Sequence, residues 1–164
     1  MNIFKVNTDT TVYMISFIVV LILILPVIHA IFYKNSITYL SFIVFITTAI
    51  LVTTFFFAPK SYVITNNSIV IKKVLGSIEI DKADIIEVAP PASDDLKGSI
   101  RTFASGGFFG YFGKFRSPKL GKYNMYAGTM KTSNLLVIKL KNGNKYVISP
   151  IGREDFLHYV MLPQ

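Results

Sequence analysis

Residues 37–71 read ITYLSFIVFITTAILVTTFFFAPKSYVITNNSIVI, and the character of the chain changes within this stretch. Residues 37–57 contain no charged side chain, and their number is close to the roughly 20 that an α-helix needs to cross about 30 Å of hydrocarbon. After Pro59, short apolar runs are separated by polar residues, and Asn66-Asn67 divides two of them in the manner of a tight β-hairpin turn. The sequence therefore predicts a transmembrane helix followed by a β-rich domain.

A second uncharged run precedes this stretch. Residues 12–33 contain no Asp, Glu, Lys or Arg, and only Lys34, Asn35 and Ser36 separate the two runs. Because backbone groups in hydrocarbon must find their hydrogen bonds within the helix, both runs are expected to form antiparallel transmembrane helices joined by a tight turn. A cleaved signal peptide is the alternative for the first run, but a second apolar run follows at once.

More Lys residues lie beside the two outer helix ends than between the helices. They are Lys5 before the first helix and Lys60, Lys72 and Lys73 after the second, against Lys34 in the turn. Since cytoplasmic segments carry an excess of Lys and Arg, both termini are expected in the cytoplasm. The prediction is a multi-pass protein of the cytoplasmic (inner) membrane, with a helical hairpin at residues 1–59 and a domain at residues 60–164.

The charge balance of that domain is strongly basic. The whole chain has a formal charge of +8, and residues 59–164 contain 15 Lys and Arg but only 8 Asp and Glu. A basic domain beside a bilayer suggests anionic partners, with lipid headgroups the first candidates. The absence of Cys excludes disulfide bonds and thiolate zinc sites.

Short strand patterns continue through the domain. Asn142-Gly143 is a strong hairpin signal, and the acidic corner at residues 81–84 separates two further apolar segments. Ser149 and Pro150 can begin a C-terminal helix with one apolar side. Its apolar residues are Phe156, Leu157, Val160 and Met161. Antiparallel strands followed by one helix predict a β-barrel or strongly bent sheet, capped by that helix at an opening.

This order of elements resembles the bacterial pleckstrin-homology-like (PH-like) family, whose members often follow one or two transmembrane helices. The resemblance covers about the last hundred residues. It is carried by YVITNN at residues 62–67, Ile78-x-Ile80, Asp84-Ile85-x-x-Val88, GGFFGYFG at residues 106–113, and NGNKYVISP at residues 142–150. The resemblance implies a bent seven-stranded sheet with a C-terminal helix. It implies no single ligand, because the scaffold serves lipid binding, peptide binding and self-assembly alike.

Residues 101–131 have the most unusual composition. They contain six basic and no acidic residues, eight Phe or Tyr, and six of the ten glycines. Glycine permits close backbone approach, aromatic rings favour the water–lipid boundary and cations attract phosphate, so this segment is predicted to form a loop on lipid headgroups. The candidate contact residues are Arg101, Phe108, Phe109, Tyr111, Phe112, Lys114, Arg116, Lys119 and Lys122.

Two alternatives remain open for the same segment. Its aromatic residues can instead fill the barrel or pack on its outside, with the lysines as a solvated rim, since glycine–aromatic repeats are common where strands bend. The aromatic residues in question are Phe103, Phe108, Phe109, Phe112 and Phe115. The segment can also form a protein–protein contact, including self-association.

The sequence offers no constellation for catalysis. His29 and His158 belong to no motif, and no Lys-Ser or Lys-Thr follows the glycines at the spacing of a nucleotide phosphate loop. Asp81, Asp84 and Glu87 are interpreted as a solvated turn rather than a cation site. We expect no enzyme, cofactor or metal, and neither nucleic acid nor a small-molecule substrate as partner.

The predicted function is that of a membrane-anchored, non-enzymatic PH-like binding module, which contacts anionic headgroups or a protein partner at the inner membrane face. The alternative is a structural or assembly protein that oligomerises or docks onto another membrane protein. It draws on the aromatic residues and on hydroxyl residues that can bond between helices. Those hydroxyl residues are Thr47, Thr48, Thr53 and Thr54.

Overall fold

Two long apolar helices begin the fold. The computed structural model describes residues 1–33 and 36–161, in which α1 spans Thr10–Phe32 and α2 spans Ile37–Phe57. The two helices predicted from the uncharged runs are therefore confirmed. The predicted tight turn includes residues 34–35, which lie outside the described part of the chain.

Both helices expose their apolar side chains. Each is long and apolar enough to cross a membrane, and only 11% of the most apolar stretch of α1 and 6% of that of α2 is buried. A core helix of a soluble domain would bury most of such a stretch. The two helices therefore suggest a membrane anchor.

In residues 1–33 and 36–161, ten strands form two sheets. The first sheet contains β1 (Asn2–Lys5), β2 (Pro59–Ile64), β3 (Ser68–Lys73) and β4 (Ser77–Asp81), in that order. The second contains β5 (Ile85–Ala89), β6 (Ile100–Gly106), β7 (Tyr111–Ser117), β8 (Gly121–Ala127), β9 (Leu136–Leu140) and β10 (Lys145–Ile148). Its order is β5-β9-β10-β8-β7-β6, and all its pairs are antiparallel except β10 with β8.

The turn residues in the sequence correctly predicted the positions of two hairpins. Asn66-Asn67 joins β2 to β3, and Asn142-Gly143 joins β9 to β10, where Gly143 has a φ of 82°. Both strands around the corner at residues 81–84 also form, as β4 and β5. These elements were predictable because a tight turn fixes the register of its two strands locally.

The structure differs from the expected seven-stranded sheet in two places. Residues 2–5 form β1, which pairs with β2 although α1 and α2 lie between them in sequence. Residues 101–131 were expected to form a loop, and that expectation is wrong, because β7 pairs with both β6 and β8 to make a three-stranded meander. The many glycines of this segment made its strands hard to recognise from the sequence.

Two hydrophobic cores lie on opposite faces of the second sheet. Successive strand residues point to opposite sides, so that Ile138 joins the first core and Val137 the second. The first core also contains Tyr62 of the first sheet and Phe156 of α3 (Arg153–Met161), whose rings are 6.3 Å apart. The C-terminal helix thus closes this core, as predicted.

The segment before α1 ties the helices to both sheets. The Asn7 N–H donates to the Ser149 carbonyl at 2.6 Å, and the Asp9 N–H donates to the Gly128 carbonyl at 3.1 Å. The Asp9 carboxylate accepts from the Val12 N–H at 3.1 Å and thereby caps α1. The start of α1 is consequently fixed to the domain by hydrogen bonds.

A buried tyrosine joins the two sheets through its hydroxyl group. Tyr62 of β2 donates to the Tyr126 carbonyl of β8 at 2.6 Å and accepts the Ser149 N–H at 3.1 Å. Burial raises the pKa of the Tyr62 phenol far above its usual value, so the hydroxyl keeps its proton and remains a donor.

We predict that Tyr62→Phe lowers the free energy of unfolding by about 1–3 kcal/mol, because a buried carbonyl and a buried N–H lose their partner. Denaturant titration of the detergent-solubilised protein measures this loss. Tyr159→Phe is the matched control, because the Tyr159 ring lies partly exposed on α3, and it should change stability by no more than about 0.5 kcal/mol. Equal stability of both variants would show that the Tyr62 hydroxyl does not hold the sheets together.

Candidate binding site

The meander of β6, β7 and β8 presents one mixed face of aromatic and basic side chains. Antiparallel registers align Phe103 with Lys114 and Lys114 with Asn124, and they place Arg116 directly opposite Lys122. We call this surface the basic-aromatic face. Its residues are Phe103, Ser105, Phe112, Lys114, Arg116, Lys122, Asn124 and Tyr126. It continues the side of the sheet that buries the first core, because Tyr126 is aligned with Ile148 and packs against that core.

The opposite face of the meander is buried. Phe115 and Tyr123 stack with their ring centroids 5.6 Å apart, and Met125 is fully buried beside them in the second core. The hydroxyl group of Tyr123 donates to Ser99 Oγ at 2.8 Å. One predicted aromatic, Phe115, therefore serves the interior of the domain.

The turn between β6 and β7 is docked against both helices. Ser16 Oγ of α1 accepts the Phe109 N–H at 2.9 Å, and the rings of Phe109 and Phe55 of α2 form a T-shaped pair with their centroids 5.6 Å apart. Gly107 has a φ of 111°, which glycine adopts without strain, and a Cβ atom there would lie 2.6 Å from Ile15 Cδ1. The glycine–aromatic turn is therefore a contact between the domain and the helices.

Phe109 has a φ of 57°, which is uncommon for a residue with a side chain. Such a conformation persists where the surroundings hold it, and the bond to Ser16 supplies that support. Ser16 and Ile15 were not among the predicted site residues. The one available signal was the hydroxyl group of Ser16 within an otherwise apolar run near the domain end of α1.

A cleft of about 840 Å³ separates the helices from the basic-aromatic face. We call it the helix–sheet cleft. The helices contribute Val19, Thr53, Thr54 and Phe57, and the domain contributes residues 103–106, Phe108, residues 112–114, Asn124 and Tyr126. Lys114 is the charged residue of this lining, and Phe103 at its rim is 83% exposed. The lining thus combines a large apolar surface with a cation.

Two hydroxyl groups in the walls of the helix–sheet cleft form hydrogen bonds within the protein. The Thr54 hydroxyl donates to the Ile50 carbonyl of its own helix at 2.7 Å, and the Ser105 hydroxyl donates to the Phe108 carbonyl at 2.7 Å. Since these hydroxyl donors are satisfied within the protein, the walls offer them to no ligand. The other polar side chains of the lining are Thr53, Lys114, Asn124 and Tyr126, so the cleft is mostly apolar and contains a few polar groups.

Two further predicted contact residues, Arg101 and Tyr111, lie outside the basic-aromatic face. Arg101 is aligned with Phe115 rather than with Lys114, because a β-bulge lies between Arg101 and Phe103. Its guanidinium packs over Gly106. Burial, and then the charge of Asp9, raise the pKa of Tyr111, and the charge of Arg101 offsets part of this rise. Arg101 and Tyr111 therefore lie on the side opposite the basic-aromatic face.

Ion pairs distinguish the basic residues. Lys119 contacts Asp94 at 3.0 Å at an exposed position. Within residues 1–33 and 36–161, no carboxylate lies within ion-pair distance of Lys114, Arg116 or Lys122. The structure thus brings Phe112, Lys114, Arg116 and Lys122 together on one face, places Phe108 and Phe109 at the helices, and puts Arg101 and Tyr111 on the other side. Lys119 lies in the turn between β7 and β8 and pairs with Asp94.

Within the part of the chain that the structure describes, no group of three or more His, Cys, Asp or Glu side chains is arranged to hold a metal ion. The acidic corner at residues 81–84 instead contains a short 3-10 helix, which Asp81 caps by accepting the Ala83 N–H at 2.9 Å.

Comparison with known proteins adds one finding. Residues 60–161 match a family model described as Bacterial PH domain, which covers more than half of the chain and confirms the resemblance inferred from the sequence. No curated protein and no solved structure matches the chain.

We predict that Ser16→Ala loosens the docked turn, because the Phe109 N–H loses its acceptor. Amide hydrogen exchange at residues 107–111 should accelerate by about three- to tenfold, the effect of one lost hydrogen bond. Ser41→Ala on the exposed surface of α2 is the matched control and should leave this exchange unchanged. Unchanged exchange in Ser16→Ala would show that other contacts hold the turn.

Proposed function

The chain belongs to the bacterial PH domain family, and from this premise we propose that it is a membrane-anchored, non-enzymatic binding module for anionic lipid headgroups. Domains of this family are typically binding modules without catalytic activity. The proposed contact surface is the basic-aromatic face, centred on Lys114, Arg116 and Lys122. The proposed location is the inner side of the cytoplasmic membrane.

The observation that carries the proposal is the placement of three cations on one side of the meander. Arg116 and Lys122 lie directly opposite each other on paired strands, an arrangement of like charges that destabilises a sheet. Lys114 adds a third charge on the same side of β7, two residues before Arg116. A phosphate group between these side chains would remove the repulsion, so an anionic ligand accounts for an arrangement that stability alone disfavours.

The orientation in the membrane follows from the charges beside the helices. Lys73 of β3 holds its ammonium group 5.0 Å above the Phe57 ring at the end of α2, and Lys60 follows that end directly. With both helices across the bilayer and both termini in the cytoplasm, these cations meet the anionic inner leaflet. Each Lys or Arg near that surface contributes about 1 kcal/mol to the attraction.

The assembly alternative has less support from the helices. Its candidates for bonds between helices were Thr47, Thr48, Thr53 and Thr54, and the last two line the helix–sheet cleft. Thr54 already donates its hydroxyl hydrogen within α2. A protein partner at the basic-aromatic face remains the competing ligand, and the following experiment separates it from lipid.

We predict that anionic lipid protects Lys114 and Lys122 from acetylation in the full-length protein reconstituted in nanodiscs. Acetylation of both lysines should be roughly fivefold slower with phosphatidylglycerol than with phosphatidylcholine alone, which corresponds to about 1 kcal/mol per cation. High salt should reduce the difference. Mass spectrometry of the digested protein measures the rates.

Lys141 provides an internal control, because it follows β9 at an exposed position remote in sequence from the meander. Its acetylation should respond to phosphatidylglycerol much less than that of Lys114. Equal rates for Lys114 and Lys122 in both lipids would refute headgroup contact and favour a protein ligand at this face.

A further inference from the structure

We propose that the helix–sheet cleft holds one acyl chain of a single anionic phospholipid taken from the bilayer, with its phosphate bound by Lys114, Arg116 and Lys122. This inference rests on the proposed function and deepens it, since it replaces general contact with headgroups by a site for one lipid molecule. The cleft and the three cations are adjacent, because Lys114 belongs to both.

The size and chemistry of the helix–sheet cleft suit an apolar chain. Its volume of about 840 Å³ lies within the range of roughly 300–1,000 Å³ that is common for ligand pockets. Val19 and Phe57 of the helices face Phe108 and Phe112 of the domain across it. An acyl chain in the cleft would cover these apolar walls and keep them from water.

One wall of the cleft consists of the helices that suggest a membrane anchor. Val19 lies nine residues after the first residue of α1, which is about 14 Å along the helix axis. Thr53 lies four residues before the end of α2, or about 6 Å along its axis. If both helices cross the bilayer, this wall extends into the hydrocarbon, and acyl chains are the most abundant neighbours of the cleft.

The cations are placed to select the headgroup. Lys114 and Arg116 are two residues apart on β7, which separates them by about 7 Å, and Lys122 stands opposite Arg116. The planar guanidinium of Arg116 can donate two parallel hydrogen bonds to one phosphate, while the lysines add charge. This complementarity favours phospholipids with a net negative charge over zwitterionic ones.

An acidic peptide would satisfy the same cations but would not explain the cleft. A peptide bound beside β6 would find its partners at the edge of the second sheet, where Phe103 and Ile100 are exposed. The apolar space between the helices and the sheet would then stay unfilled. The lipid therefore accounts for two features, the cleft and the charges, where the peptide accounts for one.

The test is native mass spectrometry of the full-length protein after reconstitution with an equimolar mixture of phosphatidylglycerol and phosphatidylcholine. We expect the wild-type protein to retain one phosphatidylglycerol molecule in preference to phosphatidylcholine. Thr53→Phe places a ring in the helix–sheet cleft and should reduce retention at least about tenfold, because the ring takes the space of the acyl chain and overpacks the site. Thr48→Phe, at an exposed position of the same helix outside the cleft, should retain the lipid.

The triple variant Lys114→Gln, Arg116→Gln and Lys122→Gln should lose the preference for phosphatidylglycerol while keeping residual binding of either lipid. Circular dichroism of each variant checks that the fold is intact. Retention in Thr53→Phe equal to that in Thr48→Phe would overturn the acyl-chain site, and equal retention of both lipids by the wild type would overturn selection of the headgroup. An acidic peptide that displaces the lipid equally well from wild type and Thr53→Phe would assign the face to a peptide.

Headgroup contact and the acyl-chain site can be refuted independently. Loss of the acetylation difference at Lys114 and Lys122 would refute headgroup contact altogether. A preserved acetylation difference, together with lipid retention that Thr53→Phe does not change, would leave headgroup contact standing and remove only the acyl-chain site.

Discussion

The hydrogen bonds of residues 7–9 are the constraint on which the rest of the structure depends. They attach the start of α1 to Ser149 after β10 and to Gly128 after β8, while β1 just before them pairs with β2. The C-terminal end of α2 is attached just as closely, because β2 begins at Pro59, two residues after α2 ends. No flexible linker separates the helices from the domain, so the position of one determines that of the other.

This attachment explains how the helix–sheet cleft can persist between the helices and the basic-aromatic face. The turn between β6 and β7 contacts α1 through Ser16 and α2 through Phe55, and this second contact holds the meander beside the helices. Two separate points of attachment restrict rotation between helices and sheets more than one would. A preformed site on such a rigid frame requires little ordering when a ligand binds.

The basic-aromatic face contains an arrangement of charges that sheet stability alone disfavours. A sheet of this kind would be more stable with a carboxylate opposite Arg116, as Glu87 lies beside Lys139 with 2.8 Å between the charged atoms. The hydrogen bond from Lys139 to Glu87 raises the pKa of Lys139, which is the usual sign of a cation with a partner. The three cations of the basic-aromatic face lack such a partner within residues 1–33 and 36–161, which leaves them available to an anion.

The sequence by itself determined the helices, the two Asn-containing hairpins and the C-terminal cap, because each depends on neighbours within a few residues: uncharged length, turn residues or an apolar helical side. Only the tertiary structure decided that β1 joins β2, that β10 runs parallel to β8, and which predicted site residues share a face. The β-bulge after Arg101 places that residue on the other side of the sheet from Lys114, and no local sequence pattern predicts this bulge. Faces and clefts depend on the register between strands and on the packing of helices against them. Both are set by contacts between residues far apart in the chain, which periodicity along a single segment does not contain.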